Sequence, residues 1–199
     1  LAWANEQFSA AVLYLNGWQQ IARTSYAPAF GAQFSWSPND RITLNYSNFL
    51  RFNVYDRQDE RRLFHNLYAK LAFNDHWQLW LGYDHGTTQQ FSPPIPVTMD
   101  VNWSTAVAIL RWQSPGRWAF AARAEYFNDS EGAIIQVFDS VTRRNRPISM
   151  GGYSLNADYR IAPNALARFE GRFLHDEEAI FVPDNSRRFW ATVSLAVAF

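Results

Sequence analysis

The sequence predicts an all-β fold, an antiparallel up-and-down transmembrane β-barrel of about ten strands, and three observations carry that prediction. Apolar and polar residues alternate with a period of two along most of the chain, while helical i, i+3, i+4 spacing is nowhere sustained. Short turns alternate with long polar connections. The apolar face of the strands places aromatic residues at both ends and aliphatic residues between them.

The strands are expected at 7–17, 28–37, 41–49, 63–73, 77–86, 103–113, 118–127, 150–161, 165–174 and 188–199. Residues 1–3 read as the tail of a further strand, followed by a turn at Ala4, Asn5 and Glu6. In the second strand Phe30, Ala32, Phe34 and Trp36 oppose Gly31, Gln33 and Ser35; in the third, Ile42, Leu44 and Tyr46 oppose Thr43, Asn45 and Ser47. Trp77, Leu79, Leu81 and Tyr83 oppose Gln78, Trp80, Gly82 and Asp84. Trp118, Phe120, Ala122, Ala124 and Tyr126 oppose Ala121, Arg123 and Glu125. Tyr153, Leu155, Ala157 and Tyr159 oppose Ser154, Asn156, Asp158 and Arg160, and Phe169 and Phe173 oppose Arg168, Glu170 and Arg172. Tight turns are marked by turn-forming residues at 38–40, 74–76, 114–117 and 162–164. The longer connections are 19–27, 51–62, 86–101, 128–149 and 175–187, so the tight turns gather at one end of the sheet and the long loops at the other.

Composition agrees with a single domain spanning 1–199 and narrows its class. Trp, Tyr and Phe number 9, 9 and 16, far too much apolar surface for a disordered chain. Mean hydropathy is −0.31, and apolar runs such as 106–110 fall well short of the ~18 residues of a membrane helix. With no Cys, disulfide frameworks, thiolate metal sites and cysteine nucleophiles are excluded. Zero net charge and a pI of about 7.1 offer no field to attract nucleic acid. Lys70 is the single lysine among 18 basic residues; the rest are Arg, which suits fixed bidentate pairing. The chain opens without a signal peptide and within an element, so it is expected to be N-terminally incomplete.

Alternation alone does not separate a soluble barrel, apolar inside, from a membrane barrel, apolar outside. The distribution of charge is compatible with either, and the sorting of aromatics favours the membrane barrel. The charged residues placed within strands, Lys70, Asp84, Arg111, Arg123, Glu125, Asp158, Arg160, Arg168, Glu170, Arg172 and Arg188, all fall on the face opposite the apolar one, and are read as lumen-lining. Trp36, Phe73, Trp77, Trp112, Trp118 and Tyr159 lie near the tight turns, and Tyr46, Tyr83, Tyr126, Tyr153 and Phe173 near the long loops. The two rows are six to eight residues apart, or about 20–27 Å along the strand at ~3.3 Å per residue; tilt shortens that along the membrane normal, which is compatible with an apolar band ~25 Å tall between aromatic girdles. A soluble core has no reason to sort Trp and Tyr to its ends. The last strand alternates Val193, Leu195, Val197 and Phe199, an aromatic terminus resembling the assembly signal of bacterial outer-membrane barrels.

Catalytic and metal chemistry find little purchase. Asp84 and His85 are adjacent in a strand and point to opposite faces, so one does not orient the other. The run from His175 to Glu178 could offer oxygen ligands to a divalent ion, but reads better as a solvated loop. No Gly-rich phosphate loop, HExxH or GxSxG is present. The chain is therefore read as a non-enzyme with no cofactor and no metal. Among the inward charges seven basic residues face four acidic ones. That set has two readings: the weakly anion-favouring lining of a wide pore, or a paired network that fills a small lumen.

Several stretches taken together carry a family resemblance: 15–19 (Leu-Asn-Gly-Trp-Gln), 30–47 with its Ser-Pro-Asn-Asp turn, 118–126 (Trp-Ala-Phe-Ala-Ala-Arg-Ala-Glu-Tyr), and above all 152–172 followed by the terminal strand. The chain resembles the β-barrel porins of the OmpL-like (porin-2) type, found in the outer membranes of Bacteroidota and related Gram-negative bacteria. The resemblance covers nearly the whole chain and is strongest after Trp118. It implies further strands before Leu1, localisation in a bacterial outer membrane and porin-like transport, and supplies no catalytic residues. The leading expectation is thus passage of small solutes or ions through a polar, Arg-rich lumen. The alternatives are a non-conducting scaffold barrel, whose loops 51–62 and 128–149 contact partner subunits, and a soluble ligand-binding barrel. Expected partners are outer-membrane lipid and the barrel-assembly machinery, the latter through Phe199; nucleic acid is not one.

Overall fold

The computed structural model describes residues 1–18, 21, 28–52, 61–92, 97–129, 131–135, 137–139, 144–145, 147–177, 180–181 and 185–198. The strands are β1 (Ala2–Ala4), β2 (Phe8–Leu15), β3 (Ala29–Asn39), β4 (Ile42–Arg51), β5 (Arg62–Ala72), β6 (Trp77–Ser92), β7 (Val97–Gln113), β8 (Trp118–Asp129), β9 (Phe138–Asp139), β10 (Arg144–Asn145), β11 (Ile148–Ala162), β12 (Ala165–Asp176) and β13 (Arg187–Val197). Eleven of them form one sheet in the order β1-β2-β3-β4-β5-β6-β7-β8-β11-β12-β13, and β9 and β10 pair separately. Every sheet neighbour is antiparallel and follows in chain order apart from the β9/β10 excursion, so the topology is up-and-down. The sheet is open among the described residues, with β1 and β13 at its edges.

Side chains at the tight turns explain where the strands reverse. Asn74 Oδ1 accepts the N–H groups of His76 and Trp77, both at 2.9 Å. Ser114 Oγ accepts those of Gly116 and Trp118, both at 3.2 Å. Such short side chains mimic a backbone turn and satisfy amides that the ladder has released. Pro38, expected in a turn, instead lies inside β3 where the β3/β4 register shifts between Trp36 and Asn39. A bulge tolerates the missing N–H.

The long-loop end departs further from expectation. Residues 86–101, expected as a loop, mostly continue the ladder: β6 and β7 remain paired from Trp77↔Trp112 out to Ser92↔Val97. Polar residues such as Thr87, Thr88 and Gln89 give this stretch the composition of a loop. Beyond the apolar band the outward face no longer needs apolar side chains, so the strand continues while the alternation is lost. In the same way β8, β11 and β12 run to Asp129, from Ile148 and to Asp176.

Burial is inverted relative to a soluble sheet. Along β8, Trp118, Phe120, Ala122, Ala124 and Tyr126 are exposed, whereas Ala119, Ala121, Arg123 and Glu125 between them are buried or half-buried. The same apolar face exposes Phe34, Leu44, Leu67, Leu81, Leu110, Leu155 and Phe169. Each large apolar side chain left in water would forgo about 1.5–3 kcal/mol, so this face requires an apolar surrounding. The soluble alternative, which puts the apolar face inside, does not fit. The buried apolar side chains Phe49, Val101, Trp103, Ile148 and Leu174 lie on the polar face toward the long-loop end.

Candidate functional site

Strand register arranges the polar face in rows. One row crosses the sheet as Lys70, Trp80, Ile109, Arg123, Ser154, Arg172 and Trp190, each directly opposite the next. On one side of it run Gln78, Arg111, Ala121, Asn156, Glu170 and Thr192, and on the other Gly82, Val107, Glu125, Gly152, Leu174 and Arg188. Asp158 and Arg168 face one another one step further toward the tight turns, with Arg160 beyond, and Asp84 sits toward the long loops beside Asn66. All the charged positions singled out in the sequence therefore share one face of the sheet.

Their partners differ. Arg168 donates two parallel hydrogen bonds to Asp158, Nε to Oδ1 at 2.7 Å and Nη2 to Oδ2 at 2.8 Å, the fork geometry that suits a guanidinium. Glu125 is held between Arg123 on its own strand and Arg172 two strands away. Arg172 reaches it because Gly152 separates them: a Cβ at that position would lie 2.6 Å from Glu125 Oε1 and 2.8 Å from Leu174 Cδ2. Asn156 donates to Glu170 at 3.3 Å, and Asn66 donates to Asp84 at 2.6 Å. Arg111 donates to Gln113 Oε1 at 2.8 Å, and Lys70 Nζ lies 5.5 Å from the centre of the Trp80 ring. Arg160 and Arg188 form no ion pair among the described residues. The acidic groups are thus each taken up by a hydrogen bond or ion pair, and the surplus on this face is cationic.

The apolar face carries the two aromatic rows. Near the tight turns the rings touch in sequence: Trp77 to Trp112 at 6.4 Å, Trp112 to Phe120 at 5.8 Å, Phe120 to Trp118 at 5.9 Å and Trp118 to Tyr159 at 4.8 Å between centroids. Trp36 stacks on Phe8 at 6.2 Å, and Phe73, in the turn that leads to Trp77, is exposed. In the second row Tyr83, Tyr126, Tyr153 and Phe173 are exposed. The Tyr46 hydroxyl hydrogen-bonds His65 Nδ1 at 2.8 Å and that of Tyr126 bonds Ser149 Oγ at 2.7 Å, so these rings have an apolar body and a wet tip. His65 lies opposite His85, and His85 opposite Ser104, a polar row beyond the tyrosines. Phe199 and Glu178 lie outside the described residues, as do most of 51–62 and part of 128–149. Among the described residues no set of His, Asp and Glu side chains converges as metal ligands.

Sequence reasoning missed a second aromatic group, on the polar face at the long-loop end. Trp18 stands edge-on to Phe49 and Phe64, both at 5.1 Å, while Phe64 stacks on Trp103 at 6.4 Å. The Arg62 guanidinium lies 5.3 Å from the Trp18 ring and 5.8 Å from that of Trp103. Trp103 lies flat across Gly86, where a Cβ would come within 1.9 Å of the indole. A cavity of about 520 Å³ opens beside them, walled by Trp18, Arg62, Asp84, Trp103 and Ile134. Ile134 is brought there by Asp129, fully buried, whose carboxylate accepts the N–H groups of Ala133, Ile134 and Ile135 at 2.6–2.9 Å. Gly132 completes this turn with φ of 70°, open to glycine without strain. The available signal was parity: Phe49, Phe64 and Trp103 are aromatics on the wrong beat of their strands.

The comparisons with known proteins agree with this architecture. The model of the family described as "Putative beta-barrel porin-2, OmpL-like" matches residues 2–199. A solved porin structure refined at 1.8 Å superposes with a TM-score of 0.67 at 12% identity, covering 100% of this chain and 60% of the porin. A Pseudomonas aeruginosa FadL homologue aligns with a TM-score of 0.49 at 13% identity, over 98% of this chain and 63% of its own. The chain thus spans about 60% of the length of the solved structures it matches. No curated protein matches by sequence.

Proposed function

Because the chain belongs to the OmpL-like family of β-barrel porins, we propose that it forms part of the wall of an outer-membrane channel in a Gram-negative bacterium. In this reading the polar face lines the lumen and passes small hydrophilic solutes or ions without catalysing any reaction on them. The observation that carries the reading is the inverted sheet. Its exposed face is an aliphatic band between two aromatic rows, which suits hydrocarbon and its two interfaces. Its other face carries guanidinium and carboxylate groups that water and solutes can contact. Lys70, Asp84, Arg111, Arg123, Glu125, Asp158, Arg160, Arg168, Glu170, Arg172 and Arg188 are the proposed lining. Lipid covers the apolar face, and the assembly machinery engages the terminal strand.

Reconstitution of the full-length protein into planar bilayers tests the reading. Discrete conductance steps above the lipid background are expected, and their consistent absence refutes solute passage. A second reading, a non-conducting scaffold, draws on the cross-braced Arg123–Glu125–Arg172 set and on the inner aromatic group, which both narrow the polar side. It predicts a silent bilayer together with a partner protein that copurifies in fixed ratio.

A further inference from the structure

We propose that the polar face holds an oxyanion subsite over Ala121, formed by Arg111, Arg123 and Ser154, which receives the phosphate or carboxylate group of a small solute. The proposal rests on the reading of this face as a lumen lining, and names the solute class. Ala121 faces Arg111 across β7/β8, and Arg123 follows two positions later on the same face of β8. Arg111 and Arg123 are therefore diagonal neighbours, about 7–8 Å apart at their bases, with a methyl group as the floor between them. A cavity of about 410 Å³ stands over that floor and is lined by Arg111, Arg123, Ser154 and Asn156, with the Asp158–Arg168 pair and Glu170 also on its wall.

The donors here are not used up. Arg123 spends a terminal nitrogen on Glu125, but its Nε is buried with no partner among the described residues. Ser154, directly opposite Arg123, is 5% exposed, and its hydroxyl likewise has no partner. Arg111 has five N–H donors and gives one to the neutral side chain of Gln113. Buried polar groups without partners are costly, and a planar or tetrahedral oxyanion that accepts from a guanidinium and a hydroxyl at once satisfies them. The carboxylates nearby each have partners that leave the Arg111 fork and the Ser154 hydroxyl open. Asp158 is clamped by Arg168. Glu125 lies over Gly152 and is shared between Arg172 and one terminal nitrogen of Arg123. Glu170 is on the cavity wall, two strands from Ala121, and accepts a hydrogen bond from Asn156 at 3.3 Å. A fork of fixed donors favours oxyanions over chloride, which cannot accept in a bidentate way.

Equilibrium dialysis of the purified full-length protein in detergent, with radiolabelled inorganic phosphate in one arm and succinate in the other, tests the subsite. Saturable binding is expected in at least one arm, and the tighter arm identifies the group. Arg111→Ala and Arg123→Ala should each weaken it about tenfold or more, and Ser154→Ala about threefold, the losses of charged and neutral hydrogen bonds. Arg117→Ala, in the tight turn between β7 and β8, should bind as the parent does. Arg123→Ala also strips a partner from Glu125 and could disturb folding, whereas Arg111→Ala leaves that ion pair whole. Binding that never saturates in either arm, or that survives Arg111→Ala unchanged, overturns the subsite. Dialysis does not require conduction, so a conducting barrel that binds neither anion refutes the subsite alone, and a silent barrel that binds phosphate refutes solute passage alone.

Discussion

Replacing Leu81 by arginine puts a guanidinium on the apolar face of β6, where the side chain is 41% exposed and its cross-strand neighbours are Ala69 and Ala108. Six residues separate Trp77 from Tyr83 on this strand, roughly 20 Å of strand and about 15 Å of depth once a ~40° tilt is allowed for. Leu81 then lies about 3 Å from the midplane between the two aromatic rows, by the same rise and tilt. Arginine near the midplane of a barrel wall costs about 2–4 kcal/mol, a roughly 30- to 700-fold shift of the folding equilibrium. Gln78→Arg, on the opposite face of the same strand, adds a like charge beside Arg111, for which about 1 kcal/mol or less is expected. Denaturant unfolding of both variants in lipid vesicles, followed by tryptophan fluorescence, gives the comparison. Equal losses at the two positions, or a larger loss for Gln78→Arg, would refute the assignment of the faces.

Two further outcomes follow from the contacts described. Gly152→Val drives a branched side chain into Glu125 and Leu174; overpacking of this kind costs about 1–3 kcal/mol, and Gly116→Val, at an open turn position, should cost less in the same denaturant series. Tryptophans on the two faces should also respond differently to brominated lipid. Trp118→Phe is expected to remove part of the quenching that brominated acyl chains produce, and Trp103→Phe to remove none, since Trp103 is 5% exposed and lies against Gly86 on the polar face. Quenching that falls equally in both variants contradicts that placement.

The amino-acid order by itself determined the strand class, the positions of the tight turns and the sorting of residues between two faces. All three depend on interactions within a few residues. Alternation follows from the period-two geometry of a strand, and Asn74 and Ser114 make their own turns. The aromatic rows were legible for the same reason: depth along a strand is proportional to residue number. Tertiary structure decided what depends on register between strands. Arg111, Ala121 and Asn156 belong to three strands and meet because two ladders pair with a particular offset. Gly152 is the gap through which Arg172 reaches Glu125, a role that depends on which strands flank it. Trp103 and Phe64, which the sequence did not single out, belong to an inner aromatic cluster that forms only when their strands are paired. The outward extension of β6 and β7 was hidden because polarity on both faces signals a loop when hydropathy is all that is available, whereas sixteen paired residues of ladder hold it in the strand conformation. Local chemistry sets which way each side chain points; the pairing offsets, which no short window of sequence contains, set which side chains meet.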